Sequence, residues 1–199
     1  MQLIAQGAEA KLIRAGNTLV KDRVPKSYRL KEIDEKLRKF RTRREAKVLK
    51  ALEKIGFPAP RLVRTDESAW IEMEFLEGPV LKDVLEKKDA IPLCREIGRS
   101  VALLHNQDII HGDLTTSNMI LKDSVHFVDF GLSFFSKRVE DKAVDLHLFR
   151  QALESRHHRI WQECFDAFLE EYKAHARGAE DVLRRFLDVE LRGRNKAKY

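Results

Sequence analysis

The chain has 199 residues, of which 43% are hydrophobic and 35% charged, and its formal net charge is +6. This apolar content supports a packed core and excludes a globally disordered chain, and the length admits one large domain or two small lobes. The basic balance suits an anionic partner such as nucleic acid or phosphates, although a basic solvated surface is equally compatible with it.

The N-terminal part alternates strands and turns before a long basic helix. Apolar patterning predicts strands at 3–5, 11–14 and 18–21, with a turn at Gly16-Asn17. Residues 26–55 are predicted to be helical, and eleven Lys/Arg against four Asp/Glu between Lys26 and Lys50 make this helix strongly basic. Glycine and two prolines in 56–60 end it, and two more strands are predicted near 61–63 and 70–75.

Gly78-Pro79 marks a change of composition, and the rest of the chain is mostly helical in pattern. Helices are predicted at 82–88, 93–106, 143–155, 160–176 and 179–191, and a hairpin joins the apolar runs 119–121 and 126–128. We expect an α+β, bilobal fold. Its parts would be a β-rich N-terminal lobe (1–77), a reduced helical lobe (78–191) and a loose basic tail (192–199).

The most informative stretch is His111-Gly112-Asp113-Leu114-Thr115-Thr116-Ser117-Asn118, followed by Asp129-Phe130-Gly131. HxDxxxxN followed by DFG is the pattern of a phosphoryl-transfer site of the kinase type, in which the protein positions groups and neutralises charge. We therefore expect the bilobal fold to be protein-kinase-like. Asp113 is the candidate for orienting the attacking hydroxyl or water. Asn118 and Asp129, at the ends of two adjacent predicted strands, are candidate ligands of one Mg²⁺, an ion that prefers oxygen donors.

Other residues fit the nucleotide side of such a site. Lys21 ends the third predicted strand and would grip phosphates, with Glu45 of the basic helix as its ion-pair partner. The alternative is a solvated edge lysine and a surface glutamate. The remaining ATP-binding candidates are the turn Gln6, Gly7, Ala8, Glu9 and Ala10, the hinge Met73, Glu74, Phe75 and Leu76, and the hairpin residues Ile120 and Val128.

Asp145 lies in a helix suited to burial, and a buried carboxylate needs hydrogen-bond donors. The backbone of the loop 111–113 is the natural supplier, so Asp145 and His111 are assigned a structural supporting role. The alternative for Asp145 is a helix cap or an exposed acid.

At these residues the chain resembles the PRPK-type family of atypical small kinases, the kinase/ATPase subunit of the KEOPS (EKC) complex. Further marks are Lys26-Ser27-Tyr28-Arg29, Ile33-Asp34, the segment 140–146 and the Arg-Gly-Arg of the tail. The resemblance covers essentially the whole chain. It implies ATP and Mg²⁺ as cofactors, and ATP hydrolysis or protein phosphorylation in support of threonylcarbamoyl modification of tRNA. It also implies a neighbouring transferase subunit, small regulatory subunits and tRNA as partners.

Departures from ordinary protein kinases agree with that resemblance. Gly112 replaces the arginine of HRD, and the connection from Asp129 to Asp145 is short and has no Ala-Pro-Glu motif. We therefore expect no activation-loop switch. The basic helix, and Arg192, Arg194, Lys196 and Lys198 of the tail, are candidate RNA or partner contacts, with a solvated basic face as the alternative.

Three other readings of the sequence remain open. They are a RIO-type kinase, a small-molecule phosphotransferase of the aminoglycoside or choline kinase type, and a scaffold with an inert ATP pocket. RIO-type kinases generally lack DFG, and the small-molecule enzymes carry a larger helical lobe. Two distant cysteines indicate neither a disulfide framework nor a zinc site, and no membrane span or signal peptide is visible. We therefore expect a cytoplasmic protein.

Overall fold

The computed structural model describes residues 2–7 and 10–196, and of residues 193–196 it describes the backbone alone. Contacts group the chain into two compact units. The first unit is Met1–Glu77 with Phe130–Leu132, and the second unit is Gly78–Asp129 with Ser133–Tyr199. The strands and helices are largely segregated along the chain, which confirms the predicted α+β class.

The first unit contains a five-stranded antiparallel sheet in the order β1-β2-β3-β5-β4. Ile71 and Met73 point to the buried face of β5, two residues apart as the pleat requires. The strands are β1 (Gln2–Gln6), β2 (Lys11–Ala15), β3 (Thr18–Asp22), β4 (Leu62–Thr65) and β5 (Trp70–Glu74).

The basic helix α1 spans Lys31–Lys54 and buries Val48, Leu49 and Leu52. The prediction that it begins at Lys26 is wrong. The backbone N–H of Lys26 donates to the carboxylate of Asp34 at 3.3 Å, and helical bonding starts where Asp34 N–H donates to the Leu30 carbonyl at 2.9 Å. A side chain therefore satisfies the backbone ahead of the helix.

The second unit is mainly helical, with two short two-stranded sheets. Its helices are α2 (Leu81–Val84), α3 (Ala90–Asn106), α4 (Val139–Arg156), α5 (Trp161–His175) and α6 (Ala179–Lys196). Its strands are β6 (Ile109–Ile110), β7 (Met119–Leu121), β8 (Val125–Phe127) and β9 (Phe134–Phe135), with β6 paired to β9 and β7 to β8.

The core of the second unit is built on close contact between α3 and α5. A Cβ atom at Gly98 would lie 2.3 Å from the carbonyl oxygen of Phe168, so only glycine permits the two helices to approach this closely. The ring of Phe149 from α4 lies 4.6 Å from that of Phe168, centroid to centroid, and both rings are fully buried. This packing holds α4, which carries Asp145, against α5.

Several predicted boundaries differ from the structure. The helix predicted at 82–88 is a short α-helix followed by a 3-10 helix at Leu85–Lys87, and α4 begins at Val139. The tail was expected to be loose from Arg192 onwards, whereas α6 continues to Lys196. The pairing of β9 with β6 was not predicted, because Phe134–Phe135 is too short to show a periodic pattern. Among the described helices, none combines the length and the apolarity that crossing a bilayer demands.

Candidate active site

In the first unit, Lys21 and Glu45 form a buried ion pair. The Nζ of Lys21, on β3, lies 2.9 Å from Oε1 of Glu45 on α1, and the two residues are 8% and 1% exposed. A buried charge requires a partner of this kind. The surface alternative for this lysine and glutamate is therefore wrong, while the role of Lys21 in phosphate binding stays a prediction.

The turn between β1 and β2 contains the predicted phosphate-covering residues. Gln6 is the exposed last residue of β1, Gly7 N–H donates to the carbonyl of Ala10 at 3.0 Å, and Ala10 is buried. Ala8 and Glu9 lie outside the described residues. The ends of the turn are thus tied together by a backbone hydrogen bond.

The predicted hinge follows the buried Met73 of β5. The backbone N–H of Glu74 donates to the Arg61 carbonyl and that of Phe75 to the Asn17 carbonyl, each at 2.9 Å. Both donors are used within the first unit. Leu76, which is buried, is therefore the hinge residue whose N–H would have to serve an adenine base.

In the second unit, Asp113 and Asn118 are joined directly. The Asn118 Nδ2 donates to the Asp113 backbone carbonyl at 2.9 Å and to its Oδ2 at 2.8 Å. These bonds engage Oδ2 of Asp113, so its Oδ1 is the carboxylate oxygen able to face a nucleophile. They also fix the orientation of the Asn118 amide, so that its Oδ1 is the atom able to face a cation.

Asp145 anchors the backbone of the loop that carries Asp113. Its two carboxylate oxygens accept hydrogen bonds from the backbone N–H groups of His111 at 2.6 Å and Gly112 at 2.8 Å. Asp145 is 1% exposed, so it is neither an exposed acid nor a solvent-facing cap. Gly112 has a φ of +78°, which accounts for glycine at this position of the motif.

A second layer of buried side chains supports Asp145. The Nε2 of His105 lies 3.3 Å from Asp145 Oδ2, and its Nδ1 lies 2.8 Å from the hydroxyl of Tyr172. Because a carboxylate only accepts, a neutral His105 carries its proton on Nε2 and accepts from Tyr172 on Nδ1. Burial, and then the charge of Asp145, raise the pKa of Tyr172, which keeps its hydroxyl protonated as a donor.

His111 is fully buried within the loop and holds its shape. The backbone N–H of Asp113 donates to His111 Nδ1 at 3.3 Å, and Ser133 Oγ donates to the His111 carbonyl at 2.7 Å. Burial lowers the pKa of His111, and the negative charges of Asp145, Asp129 and Asp113 oppose that shift. A neutral imidazole fits its place as an acceptor inside the loop.

Asp129 lies just beyond β8, on an exposed position with a left-handed backbone φ of +61°. This conformation is unusual for a residue other than glycine and is found preferentially at functional sites. Val128, which precedes it, donates from its N–H to the Asn118 carbonyl at 2.9 Å. This bond ties the segment leading to Asp129 to Asn118. Ile120 on β7 and Val128 are both half-buried.

The donor set fits Mg²⁺, a hard cation that binds through one or two protein oxygens and retains water or phosphate ligands. The Asp129 carboxylate and the Asn118 amide oxygen supply such donors. Among residues 2–7 and 10–196, no group of three or more His, Cys, Asp or Glu forms a metal cage. A site with few protein ligands is the kind that depends on a bound nucleotide to complete the coordination.

Of the predicted tail contacts, the structure describes one side chain. Arg192, on α6, donates from Nη1 to Oε1 of Glu140 on α4 at 2.7 Å. The side chains of Arg194 and Lys196, and the whole of Lys198, lie outside the described residues. Arg192 is therefore engaged within the second unit, and its predicted RNA or partner contact remains a prediction.

The structure adds partners that the sequence analysis missed. Arg23 contacts the second oxygen of Glu45, and His105 and Tyr172 stand behind Asp145. His157 Nε2 lies 3.2 Å from Thr116 Oγ1 in the loop 111–118, the candidate catalytic loop. For His105 and Tyr172, the signal in the sequence is a polar residue in a helix that is otherwise suited to burial, and this signal does not indicate the partner. Arg23 and His157 lie outside the helices and carry no such signal.

Comparison with solved structures defines the fold. A Rio2 kinase from Chaetomium thermophilum, solved with ADP, Mg²⁺ and phosphoaspartate, superposes with a TM-score of 0.64 at 16% identity, over 98% of this chain and 70% of that chain. The WbdD protein crystallised with a kinase inhibitor gives 0.57 at 20% identity, over 84% of this chain and 44% of that one. The predicted protein-kinase-like fold is confirmed.

Curated relatives are far closer in sequence. The KEOPS complex subunit Bud32 of Pyrococcus abyssi is 41% identical over 100% of this chain and 98% of its own length. A probable serine/threonine-protein kinase BUD32 homolog of Archaeoglobus fulgidus is 42% identical, covering 94% and 93%. A probable bifunctional tRNA threonylcarbamoyladenosine biosynthesis protein of Methanocaldococcus jannaschii is 41% identical, and this chain spans 36% of its length.

A family model described as the RIO domain matches residues 14–145. The fold and the site therefore define an atypical serine/threonine kinase of the RIO-domain class. Within that class, the chain belongs to the Bud32 family, which confirms the resemblance drawn from its motifs. The presence of DFG does not distinguish this chain from proteins with a RIO domain, because the chain carries DFG and still matches the RIO-domain model.

Proposed function

We propose that this chain is the Mg-ATP-dependent kinase and ATPase subunit of a KEOPS complex that supports threonylcarbamoyladenosine modification of tRNA. The observation that carries the proposal is the catalytic loop, in which Asn118 fixes the Asp113 carboxylate and Asp145 fixes the loop backbone. Such anchoring is what phosphoryl transfer requires, because its catalysis is almost entirely positioning and charge neutralisation.

Each group has a distinct task in the proposed reaction. Lys21 and the backbone of the turn 6–10 bind phosphate oxygens, and Leu76 N–H donates to adenine at the hinge. Asp113 Oδ1 accepts a hydrogen bond from the nucleophile, either water or a Ser/Thr hydroxyl, and orients it toward the γ-phosphorus. As the oxygen of the nucleophile bonds to the γ-phosphorus, its proton passes to Asp113, and the bond from phosphorus to the bridging oxygen breaks so that ADP leaves with that electron pair.

Asn118 and Asp129 would hold Mg²⁺, which neutralises charge on the β- and γ-phosphates when it is bound. Asp129 offers a full negative charge, whereas Asn118 offers an oriented neutral oxygen. The left-handed backbone at Asp129 is consistent with a residue held in place for such a task.

Partner subunits and tRNA belong to the proposal through the family. The names of the curated relatives describe those proteins as KEOPS complex subunits or as threonylcarbamoyladenosine biosynthesis proteins. We propose a threonylcarbamoyltransferase subunit, small regulatory subunits and tRNA as partners of this chain. The basic α1 suits an RNA or an acidic protein surface.

The test is phosphate release from Mg-ATP by the purified chain, alone and with the partner subunits and tRNA. Transfer of labelled γ-phosphate to protein is measured in the same samples. Release that depends on Mg²⁺ and increases when the complex is assembled supports the proposal. Binding of ATP with no release under any condition would leave an inert scaffold as the correct description.

A further inference from the structure

Glu45 has two cationic partners, one for each carboxylate oxygen. Oε1 accepts from Lys21 Nζ at 2.9 Å, and Oε2 is in close contact with Nη2 of Arg23. Arg23 also donates from Nη1 to Oγ1 of Thr42 at 3.3 Å. Arg23 is 3% exposed, Thr42 is fully buried and Glu45 is 1% exposed, so the cluster is almost entirely desolvated.

The local structure explains why these four side chains meet. Lys21 and Arg23 are two residues apart on an extended segment and so project to the same side. Thr42 and Glu45 are three residues apart on α1 and share a helix face. Arg23 is further fixed by its backbone N–H, which donates to the Ala69 carbonyl at 3.0 Å. One row of cations therefore lies against one row of acceptors.

The guanidinium of Arg23 does what a lysine could not do here. It is a planar fork with donors in fixed directions, so contacts to Thr42 and Glu45 together determine where the Glu45 carboxylate lies. Because Arg23 holds Oε2 of Glu45, Oε1 is directed at Lys21. Because the fork is occupied by α1 and the residue is buried, Arg23 itself is not placed to contact a ligand.

Lys21 is the member of the cluster that is most open to solvent. The side chain of Lys21 is 10% exposed, against 3% for Arg23 and 2% for Glu45. Lys21 is therefore the member through which the cluster can meet an anion.

We propose that Arg23 is a positioning residue for nucleotide binding. It holds Glu45 so that Lys21 is presented to the phosphates. The inference rests on the function proposed above and adds to it a third member of the Lys21–Glu45 pair.

The test compares Mg-ATP affinity and unfolding temperature across variants of the full chain. Arg23→Gln, and Arg23→Lys, which keeps the charge and loses the fork, should weaken Mg-ATP binding by roughly 10- to 100-fold, the range typical of residues that orient a ligand-contacting group. Thr42→Val should weaken it less. Arg64→Gln is the matched control, because Arg64 pairs with Glu72 at the same sheet without touching Glu45.

A double-mutant cycle separates positioning from a general loss of stability. If Arg23 acts through Glu45, Arg23→Gln should have no further effect on Mg-ATP affinity in a Glu45→Gln background. The inference fails if Arg23→Gln and Arg64→Gln lower the unfolding temperature alike and leave affinity unchanged, or if the two affinity losses simply add. Should Arg23→Gln not fold, Arg23→Lys and Thr42→Val decide the question by the same affinity criterion.

The outcome for the unmodified chain keeps the two proposals distinguishable. If it binds Mg-ATP and the Arg23 variants bind equally well, this inference alone is wrong. If the unmodified chain does not bind Mg-ATP, the proposed function fails and this inference fails with it.

Discussion

Asn118 and Asp113 are locked together by one amide group, whose Nδ2 donates both to the carbonyl and to Oδ2 of Asp113 at 2.9 and 2.8 Å. This relationship assigns the four polar atoms of the two side chains to separate tasks. Two atoms hold the pair together, and under the proposed function the two Oδ1 atoms face a nucleophile and a cation. The geometry therefore makes different predictions for the loss of each residue.

Asp113→Asn should lower phosphate release from Mg-ATP by roughly 10²- to 10⁴-fold, the usual contribution of a residue that handles the nucleophile's proton. Affinity for Mg-ATP should change little, because Asp113 has no proposed contact with the nucleotide. Asp123→Asn, in the exposed turn between β7 and β8, is the control. Turnover near the unmodified rate in Asp113→Asn would refute its role.

Asn118→Ala should raise the Mg²⁺ concentration needed for half-maximal ATP hydrolysis by about tenfold or more, because it removes an oxygen ligand and the anchor of Asp113 together. Titration of activity with Mg²⁺ at fixed ATP measures this shift. Ser117→Ala, at the exposed neighbouring position, should leave the Mg²⁺ dependence as it is. An unchanged Mg²⁺ titration in Asn118→Ala would remove this residue from the metal site.

Tyr172→Phe should lower the free energy of unfolding by about 1–2 kcal/mol, since it leaves the buried Nδ1 of His105 without its donor. Urea unfolding followed by circular dichroism measures the change. Tyr28→Phe serves as the matched control, because Tyr28 is 75% exposed and its hydroxyl is open to water. Equal stability of the two variants would show that the His105–Tyr172 hydrogen bond contributes nothing.

Stability should fall in mild acid because of His157. Burial lowers the pKa of His157, while the nearby Glu86 carboxylate opposes the shift and Arg156 reinforces it. The folded chain therefore takes up this proton at lower pH than the unfolded chain does. Stability should be constant above the ordinary histidine pKa of about 6.5 and should decrease below it, by at most about 1.4 kcal/mol per pH unit for one proton.

The measurement is the free energy of unfolding between pH 7.5 and pH 5 for the unmodified chain and for His157→Gln. The variant should show the shallower dependence on pH. His158→Gln, at the exposed adjacent residue, should keep the full slope. Parallel curves for the unmodified chain and His157→Gln would exclude His157 as the origin of the acid sensitivity.

The family, the α+β kinase-like fold and the kinase class were predictable because each depends on local patterns. The motifs HxDxxxxN and DFG indicate phosphoryl transfer through their residue types and spacing. The strands β1 to β3 show apolar alternation and are separated by clear turns. Boundaries were less predictable. The start of α1 depends on the Asp34 carboxylate, which replaces helical hydrogen bonds for a residue eight positions earlier in the chain.

The kinase pattern predicted the Lys21–Glu45 pair and the anchoring of the loop 111–113 by Asp145, but only the tertiary structure decided which further polar side chains meet around them. Arg23 shares Glu45 with Lys21 because the C-terminal end of β3 comes close to α1, and Tyr172 reaches Asp145 through His105 because α3, α4 and α5 pack together. A buried polar residue must find a partner, but its type and spacing do not say which one. Local residue pattern thus predicted the class of chemistry, and packing between distant segments supplied the groups that hold its candidate residues in place.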